Sequence, residues 1–194
     1  MHRIQCRCGI IRGHVHGTGT CNRVVCYCAD CQAFAKFLGH SDEVLDVHGG
    51  TEIVQVAQPR LVFSQGKKHL AAMRLSEKGM VRWYAACCKT PIGNTLIDPK
   101  ISFIGLIHSS LDRPKMDMDF GKNVAIVNTG SATGELKPKQ RGLLGTMLRF
   151  LWIVLSNRIG GRYRKSQLFN ESGVPVVHPT VLSAEELEDL KRAV

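Results

Sequence analysis

The chain has 194 residues, of which 44% are hydrophobic and 22% are charged, and its formal net charge is +10. This composition is typical of a folded globular protein and argues against a disordered chain or a bundle of membrane helices. The positive charge indicates an anionic partner, but it does not discriminate between a small carboxylate substrate and nucleic acid.

The amino-terminal segment MHRIQCRCGI contains no apolar run and no small-residue cleavage site, so it does not resemble a secretory signal. We therefore expect a cytoplasmic protein. In a reducing compartment the eight cysteines are better explained as metal ligands than as disulfides, because they are closely clustered.

The first two thirds of the chain predict short strands separated by glycine-containing turns. We expect them at residues 10–16, 24–27, 52–56, 60–64, 69–75, 80–85 and 101–108. Strands at this spacing favour antiparallel sheets over alternating β and α units. The predicted fold class is mainly β, with small antiparallel sheets around zinc-thiolate knuckles and helices at the carboxyl end.

The pattern changes after Gly134, at a polar junction that contains Pro138. We expect a zinc-binding β domain over 1–135 and a helical extension over 136–194 that packs on it. Residues 143–156 predict a helix that is apolar on nearly every face, yet shorter than the about 20 residues that span a bilayer. The helix suits packing on the sheet, the interface of a homodimer, or association with a membrane surface.

Two further features follow this helix. A basic cluster comprises Arg158, Arg162, Arg164 and Lys165. No aromatic-rich binding motif accompanies it, which argues against nucleic acid and for a solvated face. The sequence Ser183-Ala-Glu-Glu186 matches a capping box and predicts a helix that extends to about Ala193.

The segment Cys26-Tyr-Cys28-Ala-Asp-Cys31 predicts a metal site. In an extended segment Cys26 and Cys28 project to the same face, and a turn after Cys28 would bring Cys31 back to them. Three thiolates leave a fourth position of a tetrahedral zinc open for water or substrate. The alternative is a closed site, with a fourth ligand from Cys21, His14, His16 or His40.

A second group of cysteines is widely separated in sequence. Cys6 and Cys8 lie near the start, whereas Cys87 and Cys88 lie far along the chain. A zinc ion bound by these thiolates would join the first strands to a central strand and serve a structural purpose. Adjacent residues of a strand point to opposite faces, so Cys87 and Cys88 can reach one ion only if the chain turns there.

Together these residues resemble the glutathione-dependent formaldehyde-activating enzymes, also called S-(hydroxymethyl)glutathione synthases. The resemblance covers roughly the first 110 residues. It is carried by Cys6-x-Cys8-Gly9, Cys26-x-Cys28-x-x-Cys31, Ser76-x-x-Gly79, Arg82-Trp-Tyr and Cys88-x-Thr90-Pro91. It implies a tent-like β fold, a catalytic zinc on the middle motif, and a structural zinc on the first and last motifs.

The last motif departs from the family pattern, which is Cys-x-x-Cys-Gly-Thr. Ala85 occupies the first cysteine position, Cys87 is displaced from it, and Lys89 replaces the glycine. The second site would therefore use Cys87, use only three thiolates, or hold no metal.

The activity that the resemblance implies is that of a carbon-sulfur lyase acting on a thiol or thiol adduct, such as the adduct of glutathione and formaldehyde. The competing hypothesis is a zinc-binding scaffold whose basic carboxyl-terminal region binds a partner.

Overall fold

A computed structural model describes residues 1–192 and shows a mixed α/β protein in which β-sheet predominates. The strands are β1 (His2–Gln5), β2 (Arg12–Val15), β3 (Asn22–Cys26), β4 (Thr51–Ala57), β5 (Leu61–Gln65), β6 (Leu70–Arg74), β7 (Val81–Ala85), β8 (Pro91–Thr95), β9 (Phe103–Ile107), β10 (Val124–Val127) and β11 (Thr180–Val181). The α-helices are α1 (Ala29–Leu38), α2 (Ser41–Val44), α3 (Met116–Phe120), α4 (Leu143–Ile159) and α5 (Ala184–Arg192).

The strands form two sheets of unequal size. The larger has eight strands in the order β10-β3-β4-β9-β8-β7-β6-β11, and the smaller has three in the order β1-β2-β5. Pairing is antiparallel except at the two edges of the larger sheet, where β10 lies parallel to β3 and β11 parallel to β6. The expected antiparallel pairing therefore predominates, although most strands belong to one large sheet.

The main core lies between the two sheets. Ile4 and Ile11 of the small-sheet region pack with Trp83 and Ile104 of the large sheet. Helix α1 covers the opposite face of the large sheet. Its Phe34 packs there with Tyr84, which follows Trp83 in β7. Because successive side chains of a strand point to opposite faces, β7 is buried on both sides.

The seven predicted strands all have counterparts, with ends that differ by up to about two residues. Strands β1, β8, β10 and β11 and helices α1, α2 and α3 were not predicted from the sequence. Strand β8 begins with Pro91 and contains Gly93 and Asn94, residue types that are depleted in strands. The tent-like fold implied by the resemblance stays a prediction.

The carboxyl-terminal region packs against the large sheet. Helix α4 begins where predicted and continues to Ile159, and its Phe150 contacts Phe103 edge to face. Helix α5 has the predicted capping box, in which Ser183 and Glu186 bond each other's backbone amides. Its predicted end at Ala193 lies outside the described residues, and the boundary at residue 135 stays a prediction. Within residues 1–192 no helix combines the length and the apolar character needed to cross a bilayer.

Candidate metal centres

The first centre, called here the middle cluster, consists of Cys26, Cys28 and Cys31. Cys26 ends β3, Cys28 directly precedes α1, and Cys31 lies in the first turn of that helix. Their Sγ atoms lie within 4.8 Å of one another. The element that returns Cys31 toward Cys28 is a ten-residue helix. The sequence analysis expected a turn at this point and did not predict a helix.

Hydrogen bonds within the middle cluster favour the thiolate form of Cys26. Hydrogen bonds from the thiols of Cys28 and Cys31, and from the Asn128 side chain, lower the pKa of Cys26 to about 2. The pKa of Cys31 is raised well above its ordinary value by its bonds to Cys26 and Cys28 and by burial. The start of α1 also favours a negatively charged group beside it, because its backbone amides point toward this end.

Asn128 supports the middle cluster, and the sequence analysis missed it. Its Nδ2 atom donates to Sγ of Cys26 at 3.2 Å. The parallel register of β10 pairs Val127 with Cys26, so the residue after Val127 arrives beside the sulfur. The valine-rich run before Asn128 was a strand signal that would have predicted β10.

Further contacts connect the loops around the middle cluster. Gln32, buried in α1, donates through Nε2 to the carbonyl oxygens of Tyr27 and Ser131, at 3.2 and 2.8 Å. The Tyr27 hydroxyl donates to Asp46 at 2.8 Å. Position 50 requires glycine, since a Cβ atom there would lie 2.6 Å from a carbon of the Tyr27 ring. The backbone on both sides of the cluster is thereby fixed.

The four residues considered as a fourth ligand lie outside the middle cluster. Among the described residues, no further Cys, His, Asp or Glu joins its three sulfurs within 4.8 Å. Cys21 contacts the carbonyl oxygen of Phe120, and His16 that of Pro59. His14 lies beside His16, whereas His40 contacts the Arg7 guanidinium.

The second centre, called here the four-sulfur cluster, consists of Cys6, Cys8, Cys87 and Cys88. The Sγ atom of Cys8 lies 3.5 Å from that of Cys6 and 3.3 Å from that of Cys87. The Sγ atoms of Cys87 and Cys88 are 3.9 Å apart. Four sulfurs placed tetrahedrally around zinc are about 3.8 Å apart, so the observed spacing fits a closed thiolate site.

Two turns bring these sulfurs together. The Gly9 amide donates to the Cys6 carbonyl at 2.9 Å, which closes the first knuckle. At the second knuckle the Lys89 amide donates to the Ala85 carbonyl at 2.8 Å, so the strand ends and both Cys87 and Cys88 turn toward the first knuckle. Lys89 has a φ of 57°, a conformation that glycine adopts more readily.

Hydrogen bonds polarise the four-sulfur cluster as well. Burial raises the pKa of Cys88, but bonds to Thr90 and to the Cys8 backbone outweigh it and lower the value to about 6. Burial raises the pKa of Cys6 and of Cys87. The Thr90 hydroxyl also accepts the Arg7 amide at 3.0 Å and so connects the two knuckles directly.

The structure therefore contains two cysteine clusters that could hold a metal ion. Thiolate ligands suit zinc, copper(I) and iron-sulfur centres, so the donor set limits the metal without identifying it. Two other residues of the family-like pattern lie in the protein interior. Arg82 is buried over the Phe34 ring, and the Trp83 indole donates to Thr95.

Comparisons with known proteins give one match. No curated protein and no solved structure matches the chain. The sequence model of a family of unknown function (DUF6151) matches residues 1–137, a segment that contains both cysteine clusters and all but one of the strands. The chain therefore belongs to the DUF6151 family.

Proposed function

We propose that this protein is a zinc-dependent, carbon-sulfur lyase-like enzyme that acts on a thiol-aldehyde adduct such as S-hydroxymethylglutathione. The observation that carries the proposal is the middle cluster, whose three sulfurs converge without a fourth protein ligand among residues 1–192. Such a set leaves one coordination position for a substrate. The resemblance to the formaldehyde-activating enzymes supplies the substrate class.

The chain supplies the ligands and holds them in place. A zinc ion bound there would supply Lewis acidity, which lowers the pKa of a thiol at its open position. Cys26 and Cys31 are buried, whereas Cys28 is half-buried and marks the side from which a substrate approaches. Asn128 fixes the sulfur of Cys26 through its hydrogen bond. In the synthetic direction a carbon-sulfur bond forms, the carbonyl π bond breaks, and the proton of the thiol passes to the oxygen.

A rate measurement tests this proposal. The zinc-loaded protein is expected to accelerate the formation and breakdown of S-hydroxymethylglutathione above the uncatalysed rate. The Cys28→Ser variant should lose the metal of the middle cluster and the activity together. Cys21→Ser is the matched control, since Cys21 belongs to neither cluster. A rate equal to the uncatalysed one with the middle cluster fully loaded would contradict the proposal.

A second candidate function is a zinc-binding scaffold without catalysis. The burial of Cys26 and Cys31 favours it, because buried ligands restrict the approach of a substrate to the metal. The two functions differ in their response to a small thiol. An enzyme of the proposed class should bind the thiol at the metal and change the charge-transfer spectrum of a cobalt-substituted protein, whereas a closed scaffold should leave that spectrum unchanged.

A further inference from the structure

Helix α4 presents a continuous apolar stripe to solvent, called here the α4 stripe. Its residues recur at the three- and four-residue spacing of one helix face: Leu144, Met147, Leu148, Leu151, Trp152, Leu155 and Ile159. Trp152 is 63% exposed and Ile159 85% exposed. The helix has 17 residues, so the stripe is about 25 Å long. An apolar surface of this extent indicates an interaction site.

The opposite face of α4 fixes the helix to the protein. Thr146, Ile153 and Asn157 are buried, and Phe150 and Ile153 pack with Phe103 of β9. The Asn22 side chain of β3 donates to the Thr146 carbonyl at 3.0 Å. The helix axis consequently runs along the protein surface. A flat partner can reach the whole stripe without any change of fold.

The charge of the segment that contains α4 indicates the chemistry of that partner. Between Glu135 and Glu171 the sequence has no acidic residue. The same segment has basic side chains, all of them exposed, at Lys137, Lys139, Arg141, Arg149, Arg158, Arg162, Arg164 and Lys165. Within residues 1–192 none of them forms an ion pair with a carboxylate.

We propose that the α4 stripe and its basic surroundings dock on the surface of an anionic lipid bilayer, with α4 parallel to the membrane plane. Apolar side chains would enter the acyl boundary, and the lysines and arginines would contact lipid phosphates. An exposed tryptophan suits this position, because its ring is apolar and its N–H remains near the headgroups. A second copy of the chain is a poorer occupant, since two strongly basic segments would be brought together.

Vesicle binding by the full chain tests the proposal. Vesicles of phosphatidylcholine and phosphatidylglycerol in equal amounts should bind the protein, and vesicles of phosphatidylcholine alone should bind it much more weakly. Trp152 should report insertion through a blue-shifted emission and through quenching by brominated lipid. Trp83 is 0% exposed and should not respond. In Trp152→Phe the spectral change should therefore disappear while binding persists.

Paired variants separate the two contributions. Leu148→Ser with Leu151→Ser should weaken vesicle binding by about tenfold or more, because both side chains leave water on docking. Val47→Ser, another exposed apolar position, is the control. Arg158→Gln with Lys165→Gln should weaken binding about fivefold per residue. The control pair Lys67→Gln with Lys68→Gln, which is also exposed, should leave vesicle binding nearly unchanged. All these side chains are exposed, so the melting temperatures should stay the same.

Two results would overturn the proposal. One is the absence of binding to the anionic vesicles at low ionic strength. The other is a dimer in sedimentation equilibrium that shields Trp152 from a soluble quencher without lipid and that the Leu148 and Leu151 variant dissociates. Because these measurements do not involve the cysteine clusters, failure here and failure of the proposed activity are distinguishable.

Discussion

At Asn128 the backbone adopts a left-handed conformation, with a φ of 55°, and the side-chain amide reaches the sulfur of Cys26. Asparagine tolerates this conformation better than most residues. The same position therefore closes a turn after β10 and supplies a hydrogen-bond donor to a candidate metal ligand. Donors of this kind usually tune the affinity of a metal site.

Asn128→Gly separates these two roles, because glycine accepts the positive φ but provides no donor. We expect the zinc affinity of the middle cluster to fall by about 10- to 100-fold. Competition with a chromogenic chelator measures this affinity. Asn123→Gly, an exposed position on the preceding loop, is the control and should leave it unchanged. Equal affinities in both variants would show that the bond to Cys26 has no influence on the metal.

Lys89 is the other non-glycine residue with left-handed backbone within residues 1–192. Its Nζ atom lies 5.7 Å from the centre of the Phe37 ring and 5.1 Å from that of Tyr84. These contacts stabilise a lysine side chain at a position where the backbone favours glycine. The cation-π attraction offsets part of the backbone strain.

A pair of variants measures that strain. Lys89→Ala and Lys89→Gly both remove the contacts to the rings, but only glycine relieves the left-handed backbone. We expect the glycine variant to be more stable than the alanine variant by about 1 kcal/mol in urea unfolding at equal metal content. Equal stabilities would mean that the turn at Lys89 is unstrained or that it rearranges in one of the variants.

The middle cluster depends on two secondary-structure elements that were not predicted from the sequence, helix α1 and strand β10. The cysteine spacing alone was enough to place three sulfurs together. It did not show that Cys31 lies in the first turn of a helix, although Phe34, Phe37 and Leu38 have the three- and four-residue spacing of one helix face. The parallel pairing of β10 with β3 joins residues about 100 positions apart, which no local pattern encodes.

Helix α5 shows the opposite case, in which a local pattern was sufficient. The amide of Glu186 bonds Oγ of Ser183 at 3.1 Å, and the amide of Ser183 bonds the Glu186 carboxylate at 2.8 Å. The capped helix then packs against α1, where Nζ of Lys36 donates to the Leu190 carbonyl. A cap can be predicted because its partners lie within one turn.

Ser183→Ala should destabilise α5 by about 1 kcal/mol, because one helix amide loses its partner. Hydrogen exchange of the amides in α5 should become about fivefold faster, while amides of the central strands stay the same. The exposed Ser172→Ala is the control. Equal exchange in both variants would mean that packing on α1, rather than the cap, determines the stability of this helix.

At the scale of the whole molecule, the four-sulfur cluster joins the two sheets. Cys6 and Cys8 follow β1 of the small sheet, and Cys87 and Cys88 follow β7, an inner strand of the large one. Cys8 and Cys87 are 79 residues apart in sequence. A metal ion bound here would close a long loop and stabilise the folded state over the unfolded chain.

Zinc should therefore raise the melting temperature. At a free concentration of about 100 times Kd the gain is about 2.7 kcal/mol per site, or roughly 5–10 °C for a chain of this size. Cys87→Ser should lose most of the gain that comes from the four-sulfur cluster and keep the gain from the middle cluster. Cys28→Ser should lose the gain from the middle cluster and keep the gain from the four-sulfur cluster. Cys21→Ser should keep both gains in melting temperature. A melting temperature that zinc does not change would contradict the assignment of both clusters.

The proposed activity requires a metal ion in the middle cluster, and a crystal structure of the zinc-loaded chain with anomalous data at the zinc edge is the decisive measurement. The predicted result is a zinc ion about 2.3 Å from Sγ of Cys26, Cys28 and Cys31, with a solvent molecule or a small thiol as the fourth ligand. A fourth ligand from the protein, a disulfide within the cluster, or sulfurs that stay apart without metal would contradict the account.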